Sequence, residues 1–380
     1  MGPLAGIKVI ELKGIGPGPY AGMLLADMGA EVIVVERSRQ PNGIASAAEK
    51  DINSRGKKSI ALNLKNPQGV ETLLKLVDSA DMLLEGFRPG VAEKLGIGPD
   101  VCHARNPGLI FGRITGWGQT GPLAKVAGHD INYISIAGAL GSIGTEEKPV
   151  PPLNLVGDYA GGSLFLVMGM LAALNERNQS GKGQVIDAAI TEGTASLMSV
   201  FYSLHNMGQW TTNRASNLLD GGAHFYDTYE TADNKFVSIG PIEPKFYQLL
   251  IETIELDTEI FGDQNDTNNW PLQKEALAKV FKGKTRDQWC ELLEGSDVCF
   301  APVLNFLEAP KHPHNIARST FIETDGIVQP GVAPKFSRSE CAIPIKPAAE
   351  GADTESVLKD MGLSDNDIQQ LLSSGAVPAK

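Results

Sequence analysis

The chain has 380 residues, of which 42% are hydrophobic and 21% charged, a balance that excludes a mainly disordered protein and leaves enough length for a real core. Thirty-three Lys and Arg against 45 Asp and Glu give a net charge of −12. Without a long basic tract, that charge argues against nucleic acid and against an anionic membrane surface as partners.

The N-terminal half alternates short apolar strands with helices. Ile7 to Leu12 (IKVIEL) reads as a strand, Gly14 to Tyr20 as a Gly/Pro turn, Ala21 to Met28 as a helix, and Glu31 to Val35 (EVIVV) as a second strand. Pro67 to Ser79 reads as a helix, Ala80 to Leu84 and Leu109 to Ile114 as strands, Ala160 to Arg177 as an apolar helix, and Gln184 to Ala188 as a further strand. Strands without polar alternation, separated by helices, imply a parallel sheet covered on both faces. Ile190 to Met207 reads as one long helix, and the Gly/Asn-rich Gly208 to Gly222 as a linker. In Phe225 to Ile239, Ala232-Asp-Asn-Lys235 separates two alternating runs, the pattern of a hairpin. Helical patterns follow at 244–254, 272–281 and 285–293, the last with Thr285 and Gln288 placed for a capping box. Residues 309–347 are Pro-rich, and 352–373 read as closing helices.

The expected class is α/β: a Rossmann-like large domain over 1–185, a linker over 186–224, a small α+β domain over 225–305, a return linker over 306–345, and C-terminal helices over 346–380 packing on the large domain. The most apolar stretch, Leu164 to Leu174, is eleven residues, too short to span a bilayer. Met1 runs almost directly into a strand, so no leader is expected. The four cysteines form no CxxC pair, which fits reduced thiols in the cytoplasm. His312 and His314 lack a matching set of ligands, and no metal is expected.

Gly14-x-Gly16-x-Gly18 between strand and helix, with Glu36 about 20 residues on, fits a dinucleotide fingerprint. Pro17 and Pro19 remove N–H donors that a pyrophosphate would use, and Arg37 puts a cation where NAD prefers an acceptor, although an NADP site could use it. The bland alternative is a tight turn. Arg37 and Arg39, the Asn53-Ser-Arg-Gly-Lys-Lys-Ser59 stretch with Arg55, Lys57 and Lys58, and Arg88 in Glu85-Gly-Phe-Arg-Pro-Gly90 gather near the expected carboxyl edge of the sheet. Converging cations at that edge suggest a phosphorylated small molecule, with solvated surface charge as the alternative.

Gly112-Arg-Ile-Thr-Gly-Trp-Gly-Gln-Thr-Gly-Pro122, followed by Ala127-Gly-His-Asp-Ile-Asn-Tyr133, resembles the family III CoA-transferase superfamily and, within it, the α-methylacyl-CoA racemase branch. EVIVVER, NSRGKKSIALNLK, EGFRPGV, NLVGDYAGG, DGGAHFYDTYETAD, IEPKFY, CFAPVL and HPHN match in order along the chain. The resemblance implies an acyl-CoA substrate, with coenzyme A as part of it and no separate cofactor. Arg37, Arg55, Lys57 and Lys58 would serve the adenosine-phosphate end, Arg88 the pyrophosphate, and Tyr133 would join the binding surface. It implies epimerisation of 2-methylacyl-CoA thioesters at C2, with His129 and Asp158 as the two acid/base groups and Asn154 and Glu243 in support. Glu243 would orient His129 across an interlocked homodimer.

Two-base proton transfer needs a group on each side of the carbon and donors at the thioester oxygen. Asp158, placed ahead of an apolar helix, suggests the backbone N–H groups of Tyr159 and Ala160 for that oxygen. On their residues alone, Asp158 reads as a helix N-cap, and His129 as a satisfied or exposed histidine. The alternative chemistry is a CoA-transferase with Asp158 as nucleophile. His129 favours proton transfer, since carboxylate exchange has no required place for it. An NADP-dependent oxidoreductase and a noncatalytic CoA-binding module are the other readings. His224 stands where the racemase branch has proline, and is expected at the surface.

Overall fold

The structure is a computed structural model that describes residues 1–37, 50–341 and 346–378. Arg39 and part of the expected return linker lie outside the described residues. The chain forms two compact units. One comprises Met1–Ala137, Leu153–Leu197 and Ser319–Lys380; the other comprises Gly138–Pro152 and Met198–Arg318.

The first unit is built on six parallel strands: β1 (Lys8–Leu12), β2 (Glu31–Glu36), β3 (Lys57–Ala61), β4 (Met82–Glu85), β5 (Ile110–Thr115) and β6 (Val185–Ala189). Their order is β3-β2-β1-β4-β5-β6, with Val9 opposite both Val32 and Met82. Both faces are apolar because successive residues of each strand point to opposite sides. Ile10, Leu12, Ile33, Val35, Ile60 and Phe111 face one layer, made by helix Pro67–Val77 and the C-terminal helices Thr354–Asp360 and Asp365–Ser373. Val9, Val32, Met82, Leu84 and Ile110 face the other, made by helices Pro17–Asp27 and Phe165–Ser180. Each fully buried leucine or isoleucine here contributes roughly 1.5–3 kcal/mol.

The strand order reverses between β1 and β4. The chain leaves β1 for helix Pro17–Asp27 on one face and leaves β4 for Val91–Lys94 and Pro99–Arg105 on the other. The two connections diverge and open a crevice at the carboxyl edge, where open α/β sheets hold ligands.

Several expectations are corrected. Lys57 and Lys58 belong to an edge strand, β3, rather than to a cationic loop. The large unit runs past 185 to Leu197, and residues 138–152 cluster with the second unit, where the Arg214 guanidinium donates to the carbonyls of Gly141, Thr145 and Glu146. The apolar segment is longer than eleven residues: Leu155–Ser180 is one continuous helix of 26, long and apolar enough to cross a membrane by length and composition. Here its Leu166, Val167, Met170 and Ala173 sit in the sheet's core layer. The long helix from Ile190 breaks at Met198 into Ile190–Leu197 and Ser199–Asn206. The Pro-rich return contains a hairpin, Phe321–Thr324 with Ile327–Pro330.

The second unit carries a three-stranded antiparallel sheet, Asp227–Glu230, Phe236–Ile239 and Phe300–Pro302, under helices Pro244–Thr253, Trp270–Phe281 and Arg286–Leu293. The hairpin turns at Asn234, and the Thr285/Gln288 capping box forms as the sequence suggests. His224, expected at the surface, is fully buried in this unit's aromatic core, with its Nε2 2.7 Å from the Tyr247 hydroxyl. Burial pushes its pKa down to about 4, with Lys274 adding to the shift.

Candidate active site

The crevice at the reversal point is a cleft of about 360 Å³. Four connections line it: Ile15–Pro17 after β1, Gly86–Pro89 after β4, residues between Gly116 and His129 after β5, and Ile190 after β6. Two titratable side chains singled out by the sequence, His129 and Asp158, stand in its wall together with Arg88 and Tyr133.

His129 is exposed and immediately precedes helix Asp130–Ile136. Its N–H is accepted by Asn132 Oδ1 at 3.0 Å, which fixes the backbone from which the imidazole projects. Asp158 is half-buried and lies inside a π-helical stretch, Leu155–Leu164, that runs into the α-helix Phe165–Ser180. A π-turn inside a helix is a common mark of a functional position. Asn154 Nδ2 donates to Asp158 Oδ2 at 3.3 Å. Burial raises the Asp158 pKa above the ordinary carboxylate range; the Asn154 hydrogen bond opposes this, Asp130 adds to it, and His129 opposes it. A carboxyl so placed holds a proton more readily than a solvated one.

The π-turn revises the expected oxyanion donors. The Tyr159 N–H is directed to the Asn154 carbonyl at 3.3 Å, and Ala160, sixth in the π-helix, lies beyond its free N-terminal donors. The free donors come earlier, and one side chain takes one of them: Asp130 Oδ1 accepts the Asp158 N–H at 2.6 Å, with Gly157 directly beside it. Nothing in spacing pairs residues 28 apart on different helices. The available hint was an aspartate directly after His129 and a glycine directly before Asp158.

The Gly/Pro loop closes the floor. Gly16, at φ +70°, lies against the Asp158 carboxylate, and Ser163 Oγ joins the Pro17 carbonyl to the Asp158 carbonyl at 2.7 and 3.0 Å. Glu36, which a dinucleotide ribose would require, is buried and accepts from Ser59 Oγ, with Lys13 Nζ 3.6 Å away. On the opposite wall the Tyr133 ring packs edge-on against Trp117 and its hydroxyl donates to the Gly128 carbonyl.

The model of CoA-transferase family III matches residues 4–354. The chain belongs to CoA-transferase family III. It is 46% identical to alpha-methylacyl-CoA racemase of Mus musculus over 98% of this chain and 97% of that protein. It is 42% identical to alpha-methylacyl-CoA racemase of Homo sapiens over 97% and 96%. Its fold superposes on a CaiB/BaiF family protein from Brucella suis with TM-score 0.79 at 24% identity, over 95% of this chain and 99% of that one.

For a family named for CoA, the placement of the cations matters. Arg88 is exposed on the cleft rim and makes no ion pair among the described residues. The loop that carries it is held by Glu85, which accepts the Phe87 N–H and pairs with Arg113 at 2.8 Å. Arg37 is exposed directly after β2, at the same edge of the sheet. The other three depart from expectation. Arg55 is buried, with two bonds to Asp27 and others to Gln329 and the Pro330 carbonyl. Lys57 is buried against Glu11 at 2.6 Å and the Pro19 carbonyl. Lys58 pairs with Glu31 and Asp360 at the amino edge of the sheet. Arg55 and Lys57, engaged with buried carboxylates, would have to abandon them to meet a phosphate.

Glu243 belongs to the second unit, where it is the exposed residue ahead of helix Pro244–Thr253, near the Cys299 thiol.

Proposed function

We propose that this chain interconverts the R and S epimers of 2-methylacyl-CoA thioesters by 1,1-proton transfer. The observation that carries the reading is the presence of His129 and Asp158 in the wall of one cleft at the carboxyl edge of the sheet. The identity to alpha-methylacyl-CoA racemases supports the same conclusion.

In one direction neutral His129 removes the α-proton, the C–H electron pair moves into an enolate, and protonated Asp158 returns a proton to the opposite face. In the other direction the roles exchange. The raised proton affinity of Asp158 suits a carboxyl that must arrive protonated in half of the turnovers. Arg88 and Arg37 meet the phosphates of the CoA moiety, and Glu243 of the partner subunit orients His129 in a cytoplasmic homodimer. The reaction as proposed uses no metal and no nicotinamide.

The test is incubation of each pure epimer in deuterium oxide. Deuterium at C2 and an epimeric mixture, with no added carboxylic acid, is the expected result. Strict dependence on an acceptor acid would replace this reading with CoA transfer through Asp158.

A further inference from the structure

Asp130 is nine-tenths buried, and its side chain meets the site through the backbone of Asp158. Asp130 Oδ1 accepts the Asp158 N–H at 2.6 Å, one of the donors that a π-helical start leaves unpaired, and lies beside Gly157. The approach requires glycine at 157: a Cβ there would stand 2.3 Å from Oδ1 and 2.8 Å from Ile134 Cγ2. Asp130 also begins the helix that His129 precedes. One residue thus ties the backbone of one acid/base group to the backbone of the other. Its Oδ2 is buried without a hydrogen-bond partner among the described residues, a cost that a neutral cap would reduce.

We propose that Asp130 is a positioning residue, whose carboxylate caps the π-turn and sets where Asp158 stands in the cleft relative to His129. The effect on catalysis rests on the epimerase reading above; the cap itself does not. The charge has a second effect. Beside a half-buried Asp158, a buried like charge favours the protonated form, the same direction in which burial acts.

The experiment compares wild type, Asp130→Ala and Asp130→Asn on each pure epimer, reading kcat, KM and deuterium entry at C2. Backbone amide exchange of residues 155–164 is measured on the same samples. Asp130→Ala should lower kcat roughly 10²-fold, the scale of an ångström-level misplacement, with KM changed less than about threefold. The amide of Asp158 should exchange faster, and deuterium entry should fall more for the epimer whose proton Asp158 takes. Asp130→Asn, which keeps an oxygen acceptor, should recover most of the kcat and the protection. Wild-type kcat in Asp130→Ala, or unchanged amide exchange, overturns the proposal. If wild type itself exchanges no α-hydrogen, the epimerase reading fails, and the amide protection alone then decides whether Asp130 is the cap.

Discussion

A Cβ on Gly16 would stand 3.3 Å from Oδ2 of Asp158. The loop that resembles a dinucleotide fingerprint therefore lies against a carboxylate, and its glycine serves close approach at φ +70° with ψ −115°. An L side chain at that backbone conformation costs about 1–3 kcal/mol. Gly16→Ala should lower the melting temperature and reduce kcat at least about tenfold through displacement of Asp158. Steady-state kinetics with thermal melts check both. A fully active, equally stable variant would mean that the loop yields without moving the carboxylate.

Two neighbours of Asp158 should shift its titration in opposite directions. The Asn154 hydrogen bond favours the ionised form, whereas Asp130 disfavours it. In the direction where Asp158 is the base, the rate falls as pH drops through its pKa. Asn154→Ala should move that acid limb to higher pH, and Asp130→Asn should move it lower. The measurement is the pH profile of kcat/KM for each epimer.

The cations separate stability from binding. Lys57→Met leaves Glu11 buried and unpaired, which costs about 3–5 kcal/mol and should appear in the melt. The KM of the folded fraction should change little. Arg88→Ala should leave the melt unchanged and raise KM about 10–100-fold, since a charge-assisted contact is worth roughly 1.5–3 kcal/mol. With a pantetheine thioester, which lacks those phosphates, the Arg88 effect should vanish.

These contrasts show how far the sequence could be read. The parallel sheet was legible because β1, β2, β4 and β5 are short, mainly apolar runs without regular polar alternation, bounded by turns. Strand Lys57–Ala61 was not, since KKSIA opens with two lysines whose carboxylate partners, Glu11 for Lys57 and Glu31 for Lys58, are distant in sequence. Charge clustering marks a phosphate site only when the charges remain free, and pairing is a tertiary property. The motifs pointed to His129 and Asp158, which share the cleft wall, and to Asn154, which bonds Asp158. The π-turn was hidden because π- and α-helical residues share one apolar pattern, and its cap comes from Asp130 on another helix.

His224 makes stability depend on pH. Its folded-state pKa is pushed from 6.5 down to about 4, so between those values the unfolded chain binds the proton better. Stability is fully present above about pH 6.5 and is lost as pH falls toward 4. The difference corresponds to about 3 kcal/mol. His224→Gln cannot take up that proton and should flatten the melting temperature over the same window. An unchanged pH slope would show that other groups dominate.

The two acid/base groups should fail differently when removed. Inversion at C2 requires abstraction on one face and delivery on the other, so His129→Ala and Asp158→Asn should each abolish net epimerisation. Each loss should be at least the roughly 10²–10⁴-fold of a positioned acid or base. Exchange without inversion is the sharper readout. His129→Ala should stop deuterium entry from the epimer whose proton faces His129 and retain slow exchange from the other through Asp158. Asp158→Asn should show the converse, because the amide keeps the shape and the neighbour Asn154 but cannot accept the proton. Glu243→Gln, on the proposed pairing, should impair only the His129 side. Stereospecific deuterium entry on each pure epimer, in each variant, decides the assignment. Equal loss from both epimers in both variants, with binding intact, would mean that a single base serves both faces, or that Asp158 acts as a nucleophile.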